Sequence, residues 1–90
     1  MNQELADITA LQAIAFILQN EKRRDWLMNE TGLSPTDFTA GLNAPEVKAG
    51  VLDFLLAHED MLLEFCEENK VDPMVLIKAR RLFPGAVLEY

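Results

Sequence analysis

Residues 47–68, VKAGVLDFLLAHEDMLLEFCEE, constrain the fold more than any other run in the chain. Val47, Val51, Phe54 and Leu55 recur at i, i+4, i+7 and i+8, one stripe of a 3.6-residue period. Leu52 and Leu56 widen that stripe to most of the circumference, which predicts a helix at the centre of the domain. His58 interrupts the run, and Leu62, Leu63, Phe65 and Cys66 follow on a second helix. The rest of the chain is then expected to wrap around this linked pair.

Helical signals continue on both sides. Leu5, Ile8, Leu11, Ile14 or Ala15, and Leu18 step every three to four residues and predict a helix over 3–19, with these side chains inward. Phe16 and Ile17 add a second buried edge, while Glu4, Asp7 and Gln12 face solvent. Asn20 is the expected cap of a short helix over 21–31 that buries Trp26, Leu27 and Met28. Gly32 fits the left-handed position that closes it. Ser34, Pro35 and Asp37 have the order of a capped helix start, and Leu33 and Phe38 the spacing of a hydrophobic staple. A two-turn helix over 35–42, with Phe38 and Leu42 inward, is expected there. Pro45 starts the next helix, which runs to Ala57, and another covers 59–69. Asp72-Pro73 opens a last helix over 73–82 that buries Val75 or Leu76 and Ala79, and Phe83-Pro84-Gly85 ends it. The closing AVLEY is apolar and short, so it tucks against the bundle or frays. No strand alternation persists, and the predicted class is all-α: a single domain of five or six short helices.

Sliding the chain by 38 residues lays 13–42 on 51–80 without a gap. Phe16/Phe54, Leu18/Leu56, Glu21/Glu59, Glu30/Glu68 and Pro35/Pro73 are identical, and Ser34 falls on Asp72. Ala13/Val51, Ile14/Leu52, Ile17/Leu55, Leu27/Phe65, Met28/Cys66, Leu33/Val71 and Phe38/Leu76 pair apolar with apolar. This suggests two copies of a three-helix unit, each covering the core of the other.

The chain has 90 residues, half of them apolar, and a formal charge of −7 from 15 acidic and 8 basic residues. So apolar a composition in so small a domain leaves some apolar side chains at the surface or under a second subunit. The negative charge disfavours nucleic acid and anionic membranes. Asn2, Gln3, Glu4 and Asp7 replace the basic start of an export signal, and the apolar run from Leu11 to Leu18 is too short to cross a bilayer. A cytoplasmic location is the expectation. Cys66, the one cysteine, has no partner for an internal disulfide, and its acidic neighbours make it a poor nucleophile.

Candidate chemistries are few. The corner over 31–38 has helix-turn-helix cadence, but the helix after it offers Pro35, Thr36, Asp37, Thr39 and Ala40, none of which reads guanine or holds phosphate. A DNA-binding regulator built on Thr31 to Phe38 is the alternative function. Lys22-Arg23-Arg24 lies near a helix start, the wrong end for cations. Lys78, Arg80 and Arg81 lie in a last turn, where cations belong. Asp60, Glu64, Glu67 and Glu68 form an acidic stripe whose repulsion a basic partner, or Arg80 and Arg81, would relieve. His58 sits at a helix junction, where capping is the plain role. One His and one Cys do not make a zinc set. There is no glycine-rich phosphate loop. No catalytic residue, metal or cofactor is predicted.

The pairing of AIAFILQNEKRRDWLMNETGLSP with VLDFLLAHEDMLLEFCEENKVDP resembles a family of small helical proteins of unknown function found mainly in alphaproteobacteria. The similar elements are AFIL at 15–18, the Trp26-Leu27 step, TGLSP at 31–35, VLDFLL at 51–56 and Val71-Asp72-Pro73, and the resemblance covers about residues 8–80. It implies a small cytoplasmic all-helical protein with no established activity and no catalytic residues to carry over. The functional expectation is a non-enzymatic interaction or accessory domain. Its partner is an unidentified protein or a second copy, and its candidate surface is Lys22, Arg23, Arg24 and Trp26.

Overall fold

Caps set the helix boundaries. In the computed structural model, which describes residues 1–34, 36, 44–83 and 85, five helices and no strand occur among the described residues. They are α1 (Gln3–Leu18), α2 (Glu21–Thr31), α3 (Pro45–Ala57), α4 (Glu59–Asn69) and α5 (Pro73–Arg80). The Asn2 side chain accepts from the Leu5 amide at 2.9 Å, and that of Asn20 from the Arg23 amide at 3.1 Å. Asp72 accepts from the Met74 amide at 2.8 Å, directly before Pro73. Each bond satisfies an amide that the first helical turn leaves open. Gly32 closes α2 in the left-handed region at φ 75°, as its lack of a Cβ allows. Lys70 closes α4 in the same region at φ 55°, which the sequence did not announce. The expected helix over 35–42 lies outside the described residues, Thr36 apart, as does the AVLEY tail.

The helix ends recur at the spacing of the sequence repeat. Both α2 bounds, advanced by 38, land on those of α4. Gly32 N–H donates to the Met28 carbonyl, and Lys70 N–H to that of Cys66, the same two positions one repeat later.

α1 and α3 each contact all four other described helices. The core they share with α2, α4 and α5 includes Phe16, Ile17, Leu27, Val51, Leu52, Leu55, Phe65 and Leu76, all essentially without exposure. Phe16 and Phe65 meet edge to face at 5.4 Å. In α5, Leu76 and Ala79 point inward while Val75 is half-buried, and the helix ends at Arg80 rather than 82.

α1 buries the edge that Phe16 and Ile17 predict, with Ile14, but turns Leu5, Ile8, Leu11 and Leu18 outward rather than inward. Ala6, Thr9, Ala10, Ala13, Ile14, Phe16 and Ile17 are buried, whereas Leu5, Ile8, Leu11 and Leu18 are exposed. The physical reason is distance. A helix touching four others must let backbones approach closely, and alanine permits that where leucine does not. Thr9 joins the buried face by donating its hydroxyl to the Leu5 carbonyl at 2.8 Å.

Among the described residues, three ion pairs and one His–Glu contact join segments that are distant in sequence. Lys48 of α3, almost wholly buried, reaches Asp7 of α1 at 3.2 Å, so Asp7 is paired rather than simply solvated. Arg80 of α5 grips Asp53 of α3 in a bidentate pair at 2.6 and 3.1 Å and donates to the Phe83 carbonyl at 3.1 Å. Arg80 is thus engaged with Asp53 of α3 rather than shown against the acidic stripe of α4. Arg23 of α2 meets that stripe by pairing with Glu64. The fourth contact is His58 with Glu30, described below. Cys66 is buried, and burial followed by the charge of Asp72 pushes its thiol pKa up, which leaves it unreactive.

Candidate interaction surface

The basic cluster near the start of α2 divides in the structure. Lys22 is exposed and Arg24 half-buried. Arg23 turns inward: its guanidinium carbon lies 3.9 Å from the centroid of the Phe16 ring, and it donates to the Phe16 carbonyl at 3.3 Å and to Glu64. This is an internal cation–π and ion-pair contact that fastens α2 to α4 over the core. Arg23 therefore belongs to the fold more than to a docking patch. The structure leaves Lys22 beside it in solvent.

Trp26 is 44% exposed, not buried as predicted. One edge meets Phe54 at 5.7 Å, and the ring lies against His58 at 4.3 Å. Its indole N–H donates to Glu30 at 2.9 Å, one turn along α2. His58 occupies the N-cap position of α4, but its side chain makes no capping bond. Its side chain crosses to α2, where Nε2 and Glu30 Oε2 are 2.8 Å apart, and its ring also lies 4.8 Å from Phe54. Trp26, His58, Phe54 and Glu30 form one cluster that locks the α3–α4 junction onto α2. The hydrogen bond from His58, aided by that from Trp26, holds the Glu30 carboxyl below its ordinary pKa of 4.5 against the opposing pull of burial.

A pKa lowered by folding gives a signed expectation. The contribution of Glu30 is complete above its unfolded value near 4.5 and is lost as pH falls through the lower folded value. Glu30→Gln should therefore be less stable than wild type at pH 7. The two should converge only as the pH falls well below 4.5, once wild type has lost the contact as well. Urea midpoints across that pH range check this.

A shallow depression of about 400 Å³ opens beside the cluster, lined by Trp26, Ala57, His58, Glu59, Asp60 and Met61. These residues supply no hydroxyl, thiol or amine nucleophile for His58 to activate. Among the described residues no three His, Cys, Asp or Glu side chains come together to hold a metal ion.

The second surface is the outer face of α1, which sequence reasoning assigned to the core. Leu5, Ile8, Leu11 and Leu18 are 51%, 45%, 42% and 41% exposed. With Ala15, Gln12 and Gln19 they run the length of the helix, about 24 Å at 1.5 Å per residue. Glu4 is the one charged residue among them. The alternative signal was present in the sequence: Ala6, Ala10, Ala13 and Ile17 also keep helical spacing, and their small size marks the close-packed side.

The family described as Protein of unknown function (DUF3572) matches residues 3–86, nearly the whole chain. The chain belongs to this family. No curated protein and no solved structure matches it. Membership in DUF3572 agrees with the small helical family of unknown function that the sequence resembles, and it brings no assigned reaction. For this DUF3572 chain the two surfaces differ in character. The Trp26 cluster is tied down by internal bonds, whereas the outer face of α1 is apolar and uncovered by any described residue. The corner proposed for DNA is described only in part, since Pro35, Asp37 and Phe38 lie outside the described residues. Thr31 donates its hydroxyl to the Leu27 carbonyl at 2.7 Å, and Arg23 and Arg80 both hold carboxylates of their own chain.

Proposed function

We propose that this protein is a non-enzymatic interaction domain that docks through the outer face of α1, with the α2 surface around Lys22, Arg24 and Trp26 as a flanking contact. The observation that carries the reading is the exposed row Leu5, Ile8, Leu11 and Leu18 on a helix whose other face is already packed. Each of these side chains leaves apolar area in water that a partner could cover. A cytoplasmic setting in alphaproteobacteria is part of the reading and rests on the sequence resemblance. Among the described residues, no helix is long and apolar enough to cross a membrane.

The test is capture from nuclease-treated native lysate with two baits, wild type and Leu11→Glu, each checked for helix content. The expected result is a stoichiometric protein, either another chain or an untagged copy of this one, that wild type retains and Leu11→Glu loses. Equal recovery by both baits, or recovery that nuclease abolishes, would overturn the proposal.

A further inference from the structure

We infer that the occupant of the α1 face is a second copy of this chain, paired antiparallel about a two-fold axis between Leu11 and Gln12. This rests on the interaction reading above and names its partner.

The register of the face supports a self-complementary contact. In an antiparallel helix pair related by a two-fold axis, residues whose numbers share one sum lie opposite each other. On the outer face of α1, Leu5 then meets Leu18, Ile8 meets Ala15, and Leu11 meets Gln12, all about the same centre. Leu5, Leu18 and Ile8 thus find apolar partners without any shift, and bulky Ile8 lies over small Ala15, as interdigitation requires. Leu11 of one copy lies beside Leu11 of the other at the axis. Glu4 falls opposite Gln19, near the C-terminal end of the partner helix, and no carboxylate faces a carboxylate.

Charge selects the same occupant. The chain carries −7, yet this face holds only Glu4. A basic partner would find almost nothing to pair with here. Two acidic copies, in contrast, meet at the place where their repulsion is least. Area sets the strength: the four exposed side chains offer roughly 350 Å² per copy, about 700 Å² for the pair, below the roughly 1,200 Å² at which stable specific interfaces begin, so the contact is a weak one. The contact is therefore reversible, with a Kd on the order of micromolar. Its salt dependence follows from the net charge: salt screens the repulsion between copies, so pairing tightens as salt rises. A contact made by opposite charges would loosen.

Sedimentation equilibrium tests this over a concentration series spanning the micromolar range, at low and high salt. The wild type should be a monomer–dimer system that tightens with salt. Leu11→Glu and Leu11→Lys should each weaken pairing at least tenfold, and an equimolar mixture of the two should regain a dimer, because the introduced charges adjoin at the axis. Ile8→Gln, an uncharged change to a good helix former, replaces either variant if circular dichroism shows that it does not fold. A wild type that stays monomeric across the series would overturn self-pairing, as would dimers that survive both variants or loosen with salt. A monomeric wild type whose Leu11→Glu form still loses its partner in lysate would leave the interaction reading standing and remove only the second copy.

Discussion

Asp53→Ala should lower the unfolding free energy by about 3 kcal/mol, the low end of the cost of breaking a buried ion pair. The size follows from an asymmetry within the pair. The Arg80 side chain is 4% exposed and that of Asp53 38%. Removing the carboxylate leaves a guanidinium with almost no access to water, deprived of two charge-assisted bonds that its remaining contacts, that to the Phe83 carbonyl among them, do not replace. Arg80→Met runs the other way. It removes the buried charge, fills much of the same space, and leaves Asp53 free to hydrate, so its cost should be nearer 1 kcal/mol. The double variant should resemble Arg80→Met alone. At a urea slope of about 1 kcal/mol/M for so short a chain, Asp53→Ala moves the midpoint by about 3 M and Arg80→Met by about 1 M. A domain of this size has about 5–13 kcal/mol in total, so the first variant removes a large fraction of it.

Ala13→Leu should cost about 2 kcal/mol, although leucine is nearly as good a helix former as alanine. Ala13 is wholly buried on the inner face of α1, in the core cluster with Leu52 and Leu55. Three added carbons there must displace neighbours already at crystal-like density. The substitution also makes the inner face more hydrophobic. A view of α1 based on hydrophobicity alone would therefore expect a gain in stability, and the packing account expects a loss.

The helix ends were legible because their causes are local. Asn20, Gly32, Pro45 and Asp72-Pro73 act within a few residues of where they stand, and the observed bounds of α2, α3 and α4 match the expected ones. Facing was less legible. α1 carries apolar residues on both sides, so its periodicity admits two solutions, and the choice depends on what α3 and α5 present to it. His58 stands at the N-cap position, yet its side chain makes no capping bond, for a related reason. Its preferred acceptor, Glu30, lies 28 residues away and is reached only after α2 has packed against the α3–α4 junction. The helix over 21–31 is expected to bury Trp26, but the indole N–H bonds Glu30 at the surface, which holds the ring at the edge of the fold. Of the four residues proposed as a surface, Arg23 and Trp26 both found internal carboxylates, and that of Arg23, Glu64, is 41 residues distant.

The facing of α1 is the claim on which both proposals stand, and one paired measurement addresses it: urea unfolding of Leu11→Glu beside Ala13→Leu, in dilute solution below the range of pairing. With Leu11 outside and Ala13 inside, the charged variant should stay within about 0.5 kcal/mol of wild type while the larger apolar one loses about 2 kcal/mol. The reverse order, with Leu11→Glu losing several kcal/mol and Ala13→Leu neutral or stabilising, would contradict the account and return Leu5, Ile8, Leu11 and Leu18 to the core.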